Sequence, residues 1–232
     1  MERIKVGAVF VNFRRPDLLL QAINSLETTH QWRLFVIDNA TLKLPSLAAA
    51  WNRGIEAAVA WGAGRILVSN DDVLFHLCTI DHLVERAVLK DYGFLCPTDV
   101  GSEHGAAGLA SLPTPVSGED RQEASYSCFV LSPALYREIG PFDEGFTPAY
   151  FEDTDYNLRL GLAGRPGMTT TYAPSSTTAA PAADPRQAAW TVTAGASSRS
   201  GRTPVPGPRP SRAPGALCRT EVDWLWTRRR VR

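Results

Sequence analysis

Apolar residues run almost unbroken from Val6 to Val11, and Leu19, Ala22, Ile23 and Leu26 then recur at helical spacing behind Pro16. A continuous apolar run marks a strand covered on both faces, and proline suits a helix's first turn, so the stretch predicts strand, turn and helix. The unit repeats. Leu34 to Ile37 predicts a second strand, and Ser46 is a suitable N-cap for a helix carrying Leu47, Trp51, Ile55, Ala58 and Val59. Ile66 to Val68 predicts a third strand, followed by a helix from Thr79 through Ile80, Leu83, Val84, Ala87 and Val88. Phe94 to Cys96 and Tyr126 to Leu131 read as further strands, separated by the loop Pro97 to Ala124. A loop of that length inside one domain is usually functional, and Glu103 and His104 are its candidate contacts to a bound molecule, although exposed polar loop residues are more often only solvated. Pro133 opens a short helix, and Gly140 and Pro141 lead on to Phe142. Strands alternating with helices predict an α/β fold with a mostly parallel sheet flanked by helices.

In an open sheet of this kind, ligands bind beyond the carboxyl ends of the strands. The polar candidates fall there: Asn12 after the first strand, Asp38 after the second, and Asn70, Asp71 and Asp72 after the third. The oxygens of Asn70 to Asp72 are the hard ligands that Mg²⁺ or Mn²⁺ takes, usually one or two carboxylates completed by substrate phosphates. A polar turn closing a strand explains the same residues, and Asp38 with Asn39 reads equally as a turn or as an acceptor for a nucleotide's base or ribose. A second acidic group, Glu152, Asp153 and Asp155, opens a helix behind the aromatic pair Tyr150 and Phe151. The helix dipole stabilises carboxylates there by ~0.3–1 kcal/mol each, and Asp155 is one turn from Arg159. That accounts for Asp155 better than for the adjacent Glu152 and Asp153, and an ionised carboxylate at this position suits the deprotonation of a hydroxyl.

The chain has 232 residues and 44% hydrophobic content, enough for one sizeable core. Its zero formal charge conceals two unlike segments. Residues 1–164 carry 13 basic and 21 acidic side chains (net −8), against 11 and 3 (net +8) over 165–232. Cys78, Cys96, Cys128 and Cys218 lack paired or metal-ligand spacing, and no signal-like segment precedes the first apolar run, which predicts a reduced, cytoplasmic setting. No apolar stretch approaches the ~20 residues of a membrane span, while a peripheral membrane contact stays open.

The run Ser127 to Ser132, then Ile139 to Glu144, then Phe151 to Asp155 with Leu158, Arg159, Ala163 and Gly164, resembles family 2 glycosyltransferases. Val11, Asn12, Phe13, Arg14, Arg15 and Pro16 look like that family's first nucleotide-binding loop, and Val36 to Asn39 like its second. Asn52 to Gly54 and Ser69 to Val73 are similar to the segment ending in its Asp-x-Asp element. The resemblance spans 4–164 and implies a Rossmann-like GT-A fold over residues 1–164. It further implies a nucleotide-diphosphate sugar donor, a divalent metal (Mg²⁺ or Mn²⁺) and transfer with inversion to a hydroxyl on a glycan, a lipid-linked molecule or a natural product. The implied donor set is Val11, Asn12, Arg15, Asp38, Asn52, Asn70 and Asp71, with Asp38 on the base and Asn70 replacing the first Asp of Asp-x-Asp. Asp72 is the implied metal ligand, Asp153 the general base, and Glu152 the residue orienting the acceptor. Hexosyl transfer in cell-wall or polysaccharide synthesis is the implied setting, and nucleic acid is not an expected partner. A nucleotidyltransferase lacks support, because no Gly-rich phosphate loop follows the first strand.

Residues 165–232 depart from the pattern. They hold nine prolines, eleven arginines and no lysine, and their composition predicts a largely disordered tail. The family's histidine metal ligand is missing, since no His follows Asp153. Ser176 to Pro181 are what a one-base shift yields from codons that otherwise spell Val, His, His, Gly, Ser, Ala, which resembles the missing segment. Two origins therefore fit the tail, a frameshift product or a genuine Pro-, Ala- and Arg-rich extension, and the coding DNA distinguishes them. Arg228 to Arg230 beside Trp224, Leu225 and Trp226 also suits a membrane-surface or nucleic-acid contact. The incomplete metal site leaves a second functional reading, a nucleotide-sugar-binding pseudoenzyme.

Overall fold

The computed structural model of the chain describes residues 3–100 and 119–177. Its strands are β1 (Lys5–Asn12), β2 (Gln31–Asp38), β3 (Arg65–Asn70), β4 (Val73–Phe75), β5 (Phe94–Asp99), β6 (Asp120–Arg121), β7 (Cys128–Leu131) and β8 (Met168–Thr177). The helices are α1 (Pro16–Ser25), α2 (Asn39–Leu42), α3 (Leu47–Trp61), α4 (Thr79–Leu89), α5 (Pro133–Ile139) and α6 (Glu152–Leu162). One sheet takes the order β2-β1-β3-β7-β5-β8-β4, and β6 adds to β8.

The unbroken apolar run in β1 follows from burial on both sides. Val9 and Val11 enter a core with Trp51 and Ile55 of α3 and with Phe94, Phe129, Phe142 and Tyr156. Val6, Ala8 and Phe10 point the other way, into a core closed by Leu19 and Ala22 of α1 and Ile80, Leu83 and Val84 of α4. Two glycines let α3 lie directly on β1. A Cβ on Gly54 would stand 2.2 Å from Val9 Cγ1, and one on Gly7 2.5 Å from Ala58 Cβ. Ser46 caps α3 as its sequence predicts, accepting the Ala49 N–H at 3.1 Å, and Ser132 caps α5 by accepting the Leu135 N–H.

The expected parallel character holds for β1 with β2 and β3, and for β5 with β8. Elsewhere the sheet is mixed, because β7 enters antiparallel between β3 and β5, and β4 and β6 pair antiparallel with β8. A further correction concerns the expected boundary at 164. Met168–Thr177 is not part of a disordered tail but a strand held on both flanks, by β5 and by β4 with β6. Backbone pairing from three neighbours makes it a strand although its Thr- and Ser-rich sequence carries no apolar alternation. The remainder of the predicted tail, 178–232, with Trp224 to Arg230, lies outside the described residues, as do Glu103, His104 and the rest of 101–118. No helix among the described residues is long and apolar enough to cross a membrane.

Candidate active site

Register brings the strand-end candidates together. Asn12 pairs with Asp38 across β1 and β2, and Val11 pairs with Asn70 across β1 and β3. Past β1 the chain turns sharply, with Arg14 in the left-handed region at φ 60°, and Asn12 Oδ1 accepts the Arg15 N–H at 3.2 Å. The turn then reaches the acidic pair: the Phe13 N–H donates to Asp71 Oδ2 at 3.2 Å, and the Arg15 guanidinium lies 3.8 Å from Asp72 Oδ2. Val11 is the exception on this edge, because its side chain belongs to the core.

Charge at this edge is costly. Burial pushes Asp71 up to about 6, against the Phe13 N–H that favours its ionised form, and the charge on Asp72 adds to the rise. Asp72 is raised too, by burial first, with Arg15 opposing and Asp99 adding. Asp38 Oδ2 accepts the Thr41 hydroxyl at 2.6 Å, while its Oδ1 is buried with no hydrogen-bond partner among the described residues. Two adjacent desolvated carboxylates, repelling each other and opposed by one arginine, suit a hard divalent cation whose remaining ligands come from a diphosphate. Among the described residues no three His, Cys, Asp or Glu side chains gather to hold a metal by themselves.

The second acidic group opens α6. The Asn70 N–H donates to Ser127 O at 3.0 Å, and the neighbouring Tyr126 has a buried hydroxyl without a hydrogen-bond partner among the described residues. Burial pushes that phenol up, and Cys96, Tyr156 and Asp153 add to the rise while Arg159 opposes it. Ahead of α6, Tyr150 and Phe151 both take the left-handed conformation, at φ 86° and 72°, which is uncommon for non-glycine residues. They turn the chain so that Glu152 is buried, 4% exposed, with its Oε2 unpartnered among the described residues. Burial raises the Glu152 pKa, and the charge on Asp153 adds to it. Asp153 is half-buried and its Oδ1 accepts the Thr154 N–H at 2.7 Å and the Thr154 hydroxyl at 3.3 Å. Asp155 pairs with Arg159 at 2.8 Å, as the one-turn spacing predicts, and Arg159 also donates to the Ile139 and Pro141 carbonyls. It therefore ties α6 to the turn after α5.

Asn52 differs from the role implied by its resemblance. Its Oδ1 accepts from the Phe142 N–H and the Tyr136 hydroxyl, and its Nδ2 donates to Phe142 O and Glu144 Oε1. An amide has two donor hydrogens and two acceptor lone pairs, so none is left for a donor nucleotide. Asn52 anchors the loop that leads to α6. Two residues were not legible as site members. Asp99 ends β5 where the sequence predicts loop, and it bears on Asp72; Tyr126 reads as an ordinary apolar strand position.

No family model matches the chain, and no curated protein matches it by sequence. Solved structures do. GalNAc-T7, in a crystal structure with UDP, GalNAc and Mn²⁺, superposes with a TM-score of 0.59 at 12% identity over 77% of this chain and 44% of its own. TarS of S. aureus superposes with a TM-score of 0.57 at 12% identity over 76% of this chain and 37% of its own. Both are GT-A-type glycosyltransferases, and the chain shares their GT-A-type α/β fold. The chain spans less than half the length of either neighbour.

Proposed function

We propose that the chain transfers a sugar from a nucleotide-diphosphate donor to an acceptor hydroxyl, with inversion. The observation that carries this reading is the register that sets Asn12, Asp38 and Asn70 on one strand edge, with Asp71 and Asp72 directly after it. The GT-A neighbours support it, and GalNAc-T7 was crystallised with UDP, a sugar and Mn²⁺. The unpartnered Asp38 Oδ1 is a ready acceptor for the donor's base or ribose. Asn12, Asn70 and Arg15 surround the diphosphate, and Arg15 offsets its charge. Asp72, with Asp71 beside it, would hold Mg²⁺ or Mn²⁺, which would supply further neutralisation of charge on the diphosphate.

Asp153 takes the proton from the acceptor hydroxyl while that oxygen forms its bond to the anomeric carbon. The bond from the anomeric carbon to the diphosphate breaks, its electron pair leaves on the diphosphate, and one in-line displacement inverts the centre. Glu152 orients the acceptor. Hexosyl transfer in cell-wall or polysaccharide synthesis, in the cytoplasm, is the setting we retain, and no disulfide joins the described cysteines. Asp153→Asn tests the assignment: transfer falls by about 10²–10⁴-fold while nucleotide binding persists, whereas Asp72→Ala weakens binding of the donor in the presence of metal. Unchanged turnover in Asp153→Asn removes the base.

One observation favours a second reading, binding without turnover. The acidic pair has no third metal-ligating side chain gathered with it among the described residues. Calorimetry with UDP sugars, run beside a donor-hydrolysis assay, separates the two, because heat without hydrolysis or transfer supports the second.

A further inference from the structure

A groove of about 450 Å³ runs along the outer face of α6, walled on its other side by the segment between β6 and β7 and by the chain entering β8. Thr154, Asn157, Leu158 and Leu162 line it from the helix, at spacings that share one face, and Glu123 and Pro166 line it opposite. Leu158 and Leu162 are 61% and 80% exposed. Exposed leucines scattered singly need no explanation, but these two are one turn apart in a concavity. The groove begins at the base, since its first helical lining residue, Thr154, directs both its N–H and its hydroxyl to Asp153 Oδ1.

Polarity changes along the helix, from Thr154 and Asn157 near Asp153 to Leu158 and Leu162 further on. At 1.5 Å per residue the span from 154 to 162 is about 12 Å. The volume lies within the ~300–1,000 Å³ of small-molecule sites, while a protein partner needs roughly 800 Å² per side, far more than two leucines and a narrow groove present. We propose that the groove binds an amphipathic acceptor, its hydroxyl-bearing head at Thr154 and Asn157 and its apolar body against Leu158 and Leu162. This rests on the reading of Asp153 as the base. The acceptor's proton then passes to Asp153 with the reacting oxygen at the head of the groove.

Titration calorimetry of the full chain with n-octyl β-D-glucopyranoside, below its micelle concentration, and with methyl β-D-glucopyranoside tests it. The octyl probe binds about tenfold more tightly, and the double variant Leu158→Ser, Leu162→Ser loses that preference. Both positions are exposed, so the substitutions leave the cores intact. Equal binding of the two probes, or a preference that survives in the double variant, overturns the proposal. So does a concentration-dependent dimer that the double variant abolishes, because the occupant is then a second copy. Failure of the sugar-transfer reading registers separately: if UDP sugars give neither heat nor hydrolysis while the octyl probe still binds, the groove is apolar but its assignment to an acceptor falls.

Discussion

The side-chain amide of Asn52 holds the peptide of Phe142 by both its polar groups, accepting the N–H and donating to the carbonyl, each at 2.9 Å. The two residues are ninety positions apart in the chain, and the contact is buried. Asn52→Ala leaves both groups without a partner, and an unpaired buried group costs ~1–3 kcal/mol. We expect a loss of about 2–4 kcal/mol in urea unfolding. Asn52→Asp is at least as damaging, because a carboxylate then faces the Phe142 carbonyl and Glu144.

The seat of α3 on β1 depends on an absent side chain. Gly54→Ala places a methyl group 2.2 Å from Val9 Cγ1, closer than packed carbons approach, so helix and strand must separate. Overpacking of this kind costs about 1–3 kcal/mol, against the gain in helix propensity that alanine normally brings. A lowered midpoint in urea at an unchanged slope is the expected outcome.

Asp120 holds β6 to α4. Arg86 Nε and a terminal guanidinium nitrogen bond its carboxylate at 2.9 and 2.7 Å, and the Tyr92 hydroxyl donates to it at 3.0 Å. Although burial works the other way, these partners hold its pKa below the ordinary 3.8. A depressed folded-state pKa means that the contribution is present above the unfolded value and is lost as pH falls through the folded one. Asp120→Asn therefore costs about 1–3 kcal/mol at neutral pH, and the difference from wild type closes only at pH below 3.8.

Glu152 has the opposite sign. Its folded pKa is raised above 4.5, so ionising it costs the folded state more than the unfolded state. The penalty is absent below pH 4.5 and grows as pH rises through the folded value. Glu152→Gln melts above wild type at pH 8, and the gap narrows to nothing at pH 4. Parallel melting curves across that range would remove the burial argument.

Local signals made much of the fold legible. Pro16, Ser46 and Pro133 each mark a helix start by chemistry confined to a few residues, and the apolar run in β1 reports burial on both faces. Non-local pairing did not show. Strand β4 has three residues, too few for a period, and β8 has no apolar alternation because it is defined by its neighbours. The site divides the same way. Strand-end Asn and Asp residues could be found because the ends of parallel strands share an edge. The work of Asn52 could not, because Tyr136, Phe142 and Glu144 are 84 to 92 positions away. Asp99 was hidden by a strand running past the point where its apolar pattern stops.

Strand β8 carries a consequence for how the molecule can vary. Its last residue, Thr177, stands opposite Val73, the neighbour of Asp72, so the strand ends beside the carboxylate pair. Scaffold and finishing are thus separable along the sequence. Two chains identical through Thr177 inherit the same strand order and the same acidic start of α6, and their sequences first differ after the strand that pairs beside Asp72.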